Sequence, residues 1–316
     1  MSAPRDLDAR AVGLVLLLSA LWGGNTVAIK LGLADAPPLA LGWMRFVLGG
    51  LCVLGWGWWT RAPFALRPGE PGPLFWLGTL FTAQLGFQNV GTWLSTAGHA
   101  AVLVNSYPVH IVLLAHFLVP GDRLTPARLG GVLLGYAGIL LLFSDQLFSL
   151  RLADPRVLVG DLLLALSAVL LGLRHVVLNR QLQFIHPVKP LLAQVAIGTP
   201  LFVVLSLWFE PQAFHATGRL AASLAYQGIV IAGFNFIALT WVLTHYRPSS
   251  MAVLSLATPV FGVLATAAVL HEPVTWSLGA SALLVAGGIG LASLRPGAAP
   301  ARPVTAPAVA RPGSPS

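Results

Sequence analysis

From residue 11 to residue 294 the chain alternates long apolar runs with short polar interruptions. A hydrocarbon core about 30 Å thick takes roughly 20 apolar residues of helix, so each run is a candidate membrane span. Ten are predicted, at 11–33, 38–60, 73–93, 98–119, 127–143, 157–178, 188–209, 218–242, 250–270 and 274–294. The connections leave no room for a soluble domain. The first run, AVGLVLLLSALWGGNTVAIKLGL, is longer than a signal-peptide core and is followed by span after span, which marks it as a retained helix. The pattern predicts an all-α integral membrane protein with ten transmembrane helices.

The polar positions inside this pattern repeat. Residues 101–109 read AVLVNSYPV and residues 252–260 read AVLSLATPV, and five of the nine positions match. Downstream, Asp122-Arg123-Leu124-Thr125 is answered by Glu272-Pro273-Val274-Thr275, and Gly138-Ile139-Leu140-Leu141 by Gly288-Ile289-Gly290-Leu291. Five spans separate the copies. Five is odd, so the second copy enters the membrane upside down, which gives two inverted five-helix repeats, the topology typical of secondary transporters with a site near the midplane. The expected organisation is a cytoplasmic segment 1–10, a first repeat 11–143, an outer linker 144–156, a second repeat 157–294 and a disordered tail 295–316, rich in Pro and Ala.

With the repeat in hand the chain resembles an EamA-type member of the drug/metabolite transporter superfamily. The residues that carry the likeness are Ala20-Leu21-Trp22-Gly23-Gly24-Asn25, the stretch from Pro37-Pro38 to Arg45, and the doubled phrases with their acid-x-x-Thr and glycine-rich followers. It covers about 11 to 294 and implies a ten-helix exporter or exchanger of small metabolites. Asp122 departs from the Glu usual at its position, whereas Glu272 keeps it.

Composition agrees: 56% of residues are hydrophobic and 9% charged, with mean hydropathy +0.81, against about 25% charge in a soluble protein. The net charge of +8 would suit nucleic acid only on a polar basic surface. With the N-terminus inside, 13 Lys and Arg fall on the inner side and 4 on the outer, with Arg45 within the membrane. That bias predicts an inner-membrane, multi-pass protein with both termini cytoplasmic. Partners are then a small-molecule substrate and the lipid bilayer, with room for a homodimer and none for nucleic acid. One cysteine, Cys52, precludes an internal disulfide. The histidines have no metal-ligand spacing, and no phosphate loop, nucleophile elbow or carboxylate pair is present, so neither an enzyme, a cofactor nor a metal is expected.

Pocket candidates are polar or aromatic residues within spans: Trp22, Asn25, Arg45, Gln84, Gln88, Trp93, Asn105, Tyr107, Gln194, Asn235 and Trp241. A polar stripe in lipid is costly and should face protein or water, so each residue is either an interhelical tie or a substrate contact. Arg45 stands seven residues into span 2, about 10 Å below the outer interface. It reads as counter-charge to an anionic substrate group, or as a structural partner of Asp35 or Glu272. Arg174 is four residues from the expected end of span 6, where snorkelling to the interface suffices. At an offset of 149 residues Arg45 aligns with Gln194, which makes the halves chemically unequal.

Pro108 and Pro259, in mid-span at matching places, are either packing kinks or the hinges of a rocking motion. Asp122 and Glu272 read as boundary residues before the helix caps Thr125 and Thr275 rather than as proton carriers. Gly131, Gly135, Ala282, Ala286 and Gly290 read as close-packing seams. Trp56, Trp58, Trp59 and Trp276 read as interfacial anchors.

Cationic-drug exporters of the wider superfamily bind their cargo at a first-helix carboxylate, and Trp22-Gly23-Gly24-Asn25-Thr26 has none. The expected function is therefore export or exchange of small organic metabolites, amino acids and related zwitterions or anions first, by alternating access. Multidrug efflux is the alternative, and a non-transporting scaffold or sensor the alternative of another class.

Overall fold

The structure, a computed structural model, describes residues 7–95, 97–144, 155–211, 214–270 and 276–293. Its helices are α1 (Ala9–Leu33), α2 (Pro38–Trp59), α3 (Pro71–Leu94), α4 (Ala97–Val104), α5 (Tyr107–Leu118), α6 (Pro126–Leu142), α7 (Pro155–Gln181), α8 (Val188–Phe209), α9 (Gly218–Ala225), a π-helix (Tyr226–Asn235), α10 (Phe236–His245), α11 (Pro248–Ser255), α12 (Thr258–Leu270) and α13 (Trp276–Ser293). Spans 4 and 9 are each two helices, and span 8 is α9, the π-helix and α10 in line. Six spans, α1, α2, α7, α8, span 8 and span 9, are long and apolar enough to cross a membrane, and the second part of span 4, α6 and α13 are shorter apolar helices. The tenth, α3, has 24 residues, and Gln84, Gln88 and Asn89 dilute its apolar character. The linker residues 145–154, Glu272, Thr275 and the tail from 294 lie outside the described residues.

Local chemistry starts the helices. Asp8 accepts from the Ala11 N–H at 2.9 Å, Thr125 from Arg128 at 3.2 Å and Thr217 from Leu220 at 3.1 Å, each meeting a donor that the first turn leaves open. Pro126 follows its cap as the first helical residue, where a missing N–H costs nothing. The same rule explains the broken spans. α4 ends at Val104 and α5 starts at Tyr107; α11 ends at Ser255 and α12 starts at Thr258. Pro108 and Pro259 are thus second residues of new helices, at equivalent places in the two halves.

Glycine sets the approach of the spans. A methyl group at Gly131 would lie 2.4 Å from the Gly288 carbonyl oxygen and one at Gly288 2.6 Å from the Gly135 nitrogen, so α6 and α13 touch backbone to backbone. The α6 side of this seam is the expected one, Gly131 and Gly135 with Gly138 added. On α13 it is Ser281, Val285, Gly288 and Ala292, whereas Ala286 and Gly290 face outward. Small residues line more than one face of α13, and size alone does not choose between them.

The packing follows an approximate two-fold. α2 lies on α8; α3 on α7, as α1 on span 8; and α1 on α12, as α5 on α7. Below, the end where α1 starts is the base and the opposite end the top. At the base, Lys189 pairs with Glu70 at 2.6 Å, and Asp122, almost fully buried, holds Arg128 at 2.8 Å and the Ser249 hydroxyl and N–H. Asp122 therefore ties the start of α6 to the start of α11. At the top, Glu210 accepts from the Leu39 and Ala40 N–H groups at 2.6 and 2.9 Å, a carboxylate on the electropositive start of α2. Asp35 accepts from Arg219 at 2.7 and 2.8 Å and from Thr217 at 2.7 Å. The Arg219 hydrogen bond first, then that from Thr217, holds its carboxyl down at about 2.

Candidate substrate site

The site begins where the two copies of one helical position meet the broken spans. The offset that pairs Arg45 with Gln194 also pairs Gly23 with Gly172 and Asn25 with Arg174. A methyl at Gly23 would lie 2.6 Å from the Gly262 nitrogen and 2.8 Å from the Thr258 oxygen of α12; one at Gly172 would lie 2.8 Å from the His110 Cβ and 3.1 Å from the Ile111 nitrogen of α5. Both glycines seat an unbroken span on a broken one. Gly24 leaves room for the Tyr226 ring, whose hydroxyl donates to the Leu21 carbonyl at 2.9 Å. Two residues beyond each seat stand Asn25, buried with Oδ1 unpaired, and Arg174, only 6% exposed with Nε unpaired.

Arg174 corrects the expectation of snorkelling. α7 runs on to Gln181, because Asn179 donates to the Leu243 and Tyr246 carbonyls and Gln181 to that of Pro73. The arginine therefore sits about 10 Å from the helix end. Its Nη1 donates to Gln84 Oε1 at 3.4 Å, and its Cζ lies over Phe81 at 4.8 Å and over Phe236 at 5.6 Å. Gln84 in turn donates from Nε2 to Gln88 Oε1 at 2.9 Å and to the Ser167 hydroxyl at 3.2 Å, while Ser167 donates to the Gln84 backbone carbonyl at 3.0 Å. With both amide hydrogens engaged, the carbonyl oxygen of Gln84 is the part left to face Arg174.

Arg45 belongs to the same wall of rings. Its Cζ is 4.9 Å from the Phe46 centroid; Phe46 meets Phe81 edge-on at 5.4 Å, and Phe81 carries Arg174. Arg45 Nε is buried and unpaired. It does not pair with Asp35, which Arg219 and Thr217 already occupy; Glu272 lies outside the described residues. Trp22 joins through Phe236, on which it stacks at 5.7 Å. The structure thus gathers Trp22, Arg45, Gln84 and Gln88 of the expected set and adds Arg174, Ser167, Phe81 and Phe236. The offset applied to Asn25 is the sequence signal that points to Arg174.

Other candidates have local partners. Asn235 donates to the Leu18 carbonyl at 2.9 Å, tying span 8 to α1, and Gln194 to the Pro190 carbonyl of its own helix at 2.9 Å. Asn105 lies in the break between α4 and α5. Tyr107 stacks on His175 at 5.7 Å, and its hydroxyl meets Ser255 and Thr258, so the breaks of spans 4 and 9 face each other across it. Trp241 stands apart at the base, 46% exposed against His245, in the manner of an interfacial anchor. The Trp93 side chain lies outside the described residues.

Comparison with known proteins places this architecture. The model of the EamA-like transporter family matches residues 9–144 and again 158–294. A probable amino-acid metabolite efflux pump of Escherichia coli is 28% identical over 87% of this chain and 92% of its own. The aromatic amino acid exporter YddG of Ancylobacter novellus is 28% identical over 91% and 97%, and the uncharacterized transporter YoaV of Bacillus subtilis 24% over 87% and 94%. A crystal structure 24% identical, covering 90% of this chain and 98% of that one, superposes with a TM-score of 0.79. That likeness concerns the fold alone.

Proposed function

The chain belongs to the EamA-like transporter family, and on that premise we propose that it exports or exchanges small organic metabolites, amino acids and related zwitterions or anions first, by alternating access between its inverted halves. The observation that carries this reading is a pair of arginines, Arg174 buried and Arg45 part-buried with its Nε enclosed, neither with a carboxylate partner among the described residues. A buried cation without counter-charge is costly, and a substrate carboxylate removes that cost while it is bound. Asn25 Oδ1, an unpaired buried acceptor, stands at the repeat-related position, which suits a molecule carrying both a donor and an acceptor end. Phe81, Phe236 and Trp22 provide apolar faces for its side chain.

Of the relatives described above, one is named for amino-acid metabolite efflux and one for aromatic amino acid export, in keeping with this substrate class. The same guanidiniums disfavour cationic drugs by like-charge repulsion. The breaks before Pro108 and Pro259 would serve as the hinges, and the basic bias of the loops orients both termini to the cytoplasm of an inner membrane.

The test is growth of a bacterial host expressing the protein, compared with Arg45→Ala at matched membrane levels, across toxic amino-acid analogues and cationic dyes. The reading expects resistance to analogues that weakens with Arg45→Ala. Resistance to dyes alone contradicts it.

A further inference from the structure

We propose that Arg174 is the carboxylate receptor of the transport site, with Gln84 steering the guanidinium and Phe81 and Phe236 flanking the rest of the substrate. This rests on the substrate class proposed above and names the residue that reads it.

Three observations converge. First, the side chain is buried yet incompletely bonded: its polar contact among the described residues is Gln84 Oε1 at 3.4 Å, long for a guanidinium, and Nε has no acceptor. Second, the group is preorganised. Phe81 and Phe236 hold its face, which leaves donors along its edge, and a carboxylate accepts two parallel bonds from such an edge. Gln84 cannot drift, because Gln88 and Ser167 hold its amide. Third, the location is that of a shared site: α7 bears Arg174, α3 bears Phe81 and Gln84, and Phe236 comes from span 8, with α1 reaching the same ring through Trp22. Spans from both halves therefore border one guanidinium, and alternate exposure of that point requires only that they part on one side or the other. Arg45 lies behind Phe46 on the same wall and contributes positive potential without these framing contacts.

The experiment is uptake of radiolabelled phenylalanine and of its uncharged-carboxyl analogue phenylalaninamide into liposomes holding the purified full-length protein. Wild type, Arg174→Gln, Arg174→Lys and Gln84→Glu are compared by the ratio of the two uptakes. Gln84→Glu keeps the shape of the amide and offers Arg174 an internal carboxylate; Gln88 must turn its amide to donate where it now accepts, so the variant's unfolding midpoint is measured alongside, and in the folded protein the guanidinium is already occupied. The proposal expects wild type to prefer phenylalanine, and both Arg174→Gln and Gln84→Glu to lower that preference by roughly thirty-fold or more. Arg174→Lys should keep part of it, as a point charge without the fork.

If Arg174→Gln does not fold, Gln84→Glu decides. Undiminished preference in either variant overturns the proposal, as does a preference that Arg45→Gln abolishes and Arg174→Gln spares. Wild-type protein that moves neither compound nor any other carboxylate metabolite defeats the substrate class itself. Transport of carboxylate metabolites that ignores Arg174 defeats only this assignment.

Discussion

Gly23→Ala is the sharpest perturbation the packing offers. The added methyl would lie 2.6 Å from the Gly262 nitrogen, 2.8 Å from the Thr258 oxygen and 2.9 Å from the Phe261 carbonyl carbon. All three are backbone atoms and none can swing aside, so α1 and α12 must part. Overpacking of this kind costs about 1–3 kcal/mol. The repeat-related Gly172→Ala meets the His110 Cβ at 2.8 Å and its next atoms at 3.1 and 3.2 Å, a milder clash that belongs at the lower end of the range. Gly55 and Gly86 have nothing within 4 Å, and alanine there gains roughly 0.5–1 kcal/mol from reduced backbone freedom.

The assay is the unfolding midpoint in detergent, together with transport in liposomes. The order expected is Gly23→Ala below Gly172→Ala below wild type, with Gly55→Ala and Gly86→Ala at or above it. Transport should fall with Gly23→Ala, since α12 opens the second break and α1 carries Trp22 and Asn25. A Gly23→Ala protein as stable as Gly55→Ala would refute the seating of α1 on the broken span.

Asp35, with its carboxyl held at about 2 against an ordinary value of about 3.9, ties the top through Arg219. The contribution of a lowered carboxyl is complete above the unfolded value and lost as pH falls through the folded one. Stability from this clasp should thus be flat from neutral pH down to about 5 and fall between about 4 and 2, and Asp35→Asn should remove that acid limb from the unfolding curve. Lys189→Met alone leaves the Glu70 carboxylate with the Arg67 N–H at 2.8 Å but without its ammonium partner, and should lower the unfolding midpoint more than Lys189→Met combined with Glu70→Gln, read by the same melts. Pro108→Ala and Pro259→Ala allow the broken spans to regain a backbone bond; stopped-flow exchange should slow while the equilibrium affinity for phenylalanine holds.

The helical frame was legible because hydropathy reports burial in lipid directly. Span 7 was expected at 188–209 and α8 is Val188–Phe209; span 10 was expected at 274–294 and α13 is Trp276–Ser293. Thr125 as the cap of α6 was equally readable, since its hydroxyl serves a neighbour three residues on. What hydropathy hid lies in tertiary hydrogen bonding. Asn179, Arg180 and Gln181 look like the end of span 6, but carbonyls of span 8 and α3 absorb two of them, the helix continues, and Arg174 moves inward. The π-helix Tyr226–Asn235 left no mark in the apolar pattern either, though it sets Tyr226 and Asn235 against the Leu21 and Leu18 carbonyls of α1, about one turn apart. Trp241 has the same composition signal as Trp22, and only packing separates an anchor at the base from a ring beside Phe236.

The most direct test of the central claim is counterflow in liposomes holding only the purified protein: vesicles loaded with unlabelled phenylalanine and challenged with a trace of the labelled amino acid outside. A transporter of carboxylate-bearing metabolites accumulates label transiently above the external level, and excess unlabelled substrate outside abolishes the overshoot. Label no higher than in protein-free vesicles, for phenylalanine and across a broad panel of amino acids and organic anions, would contradict the account.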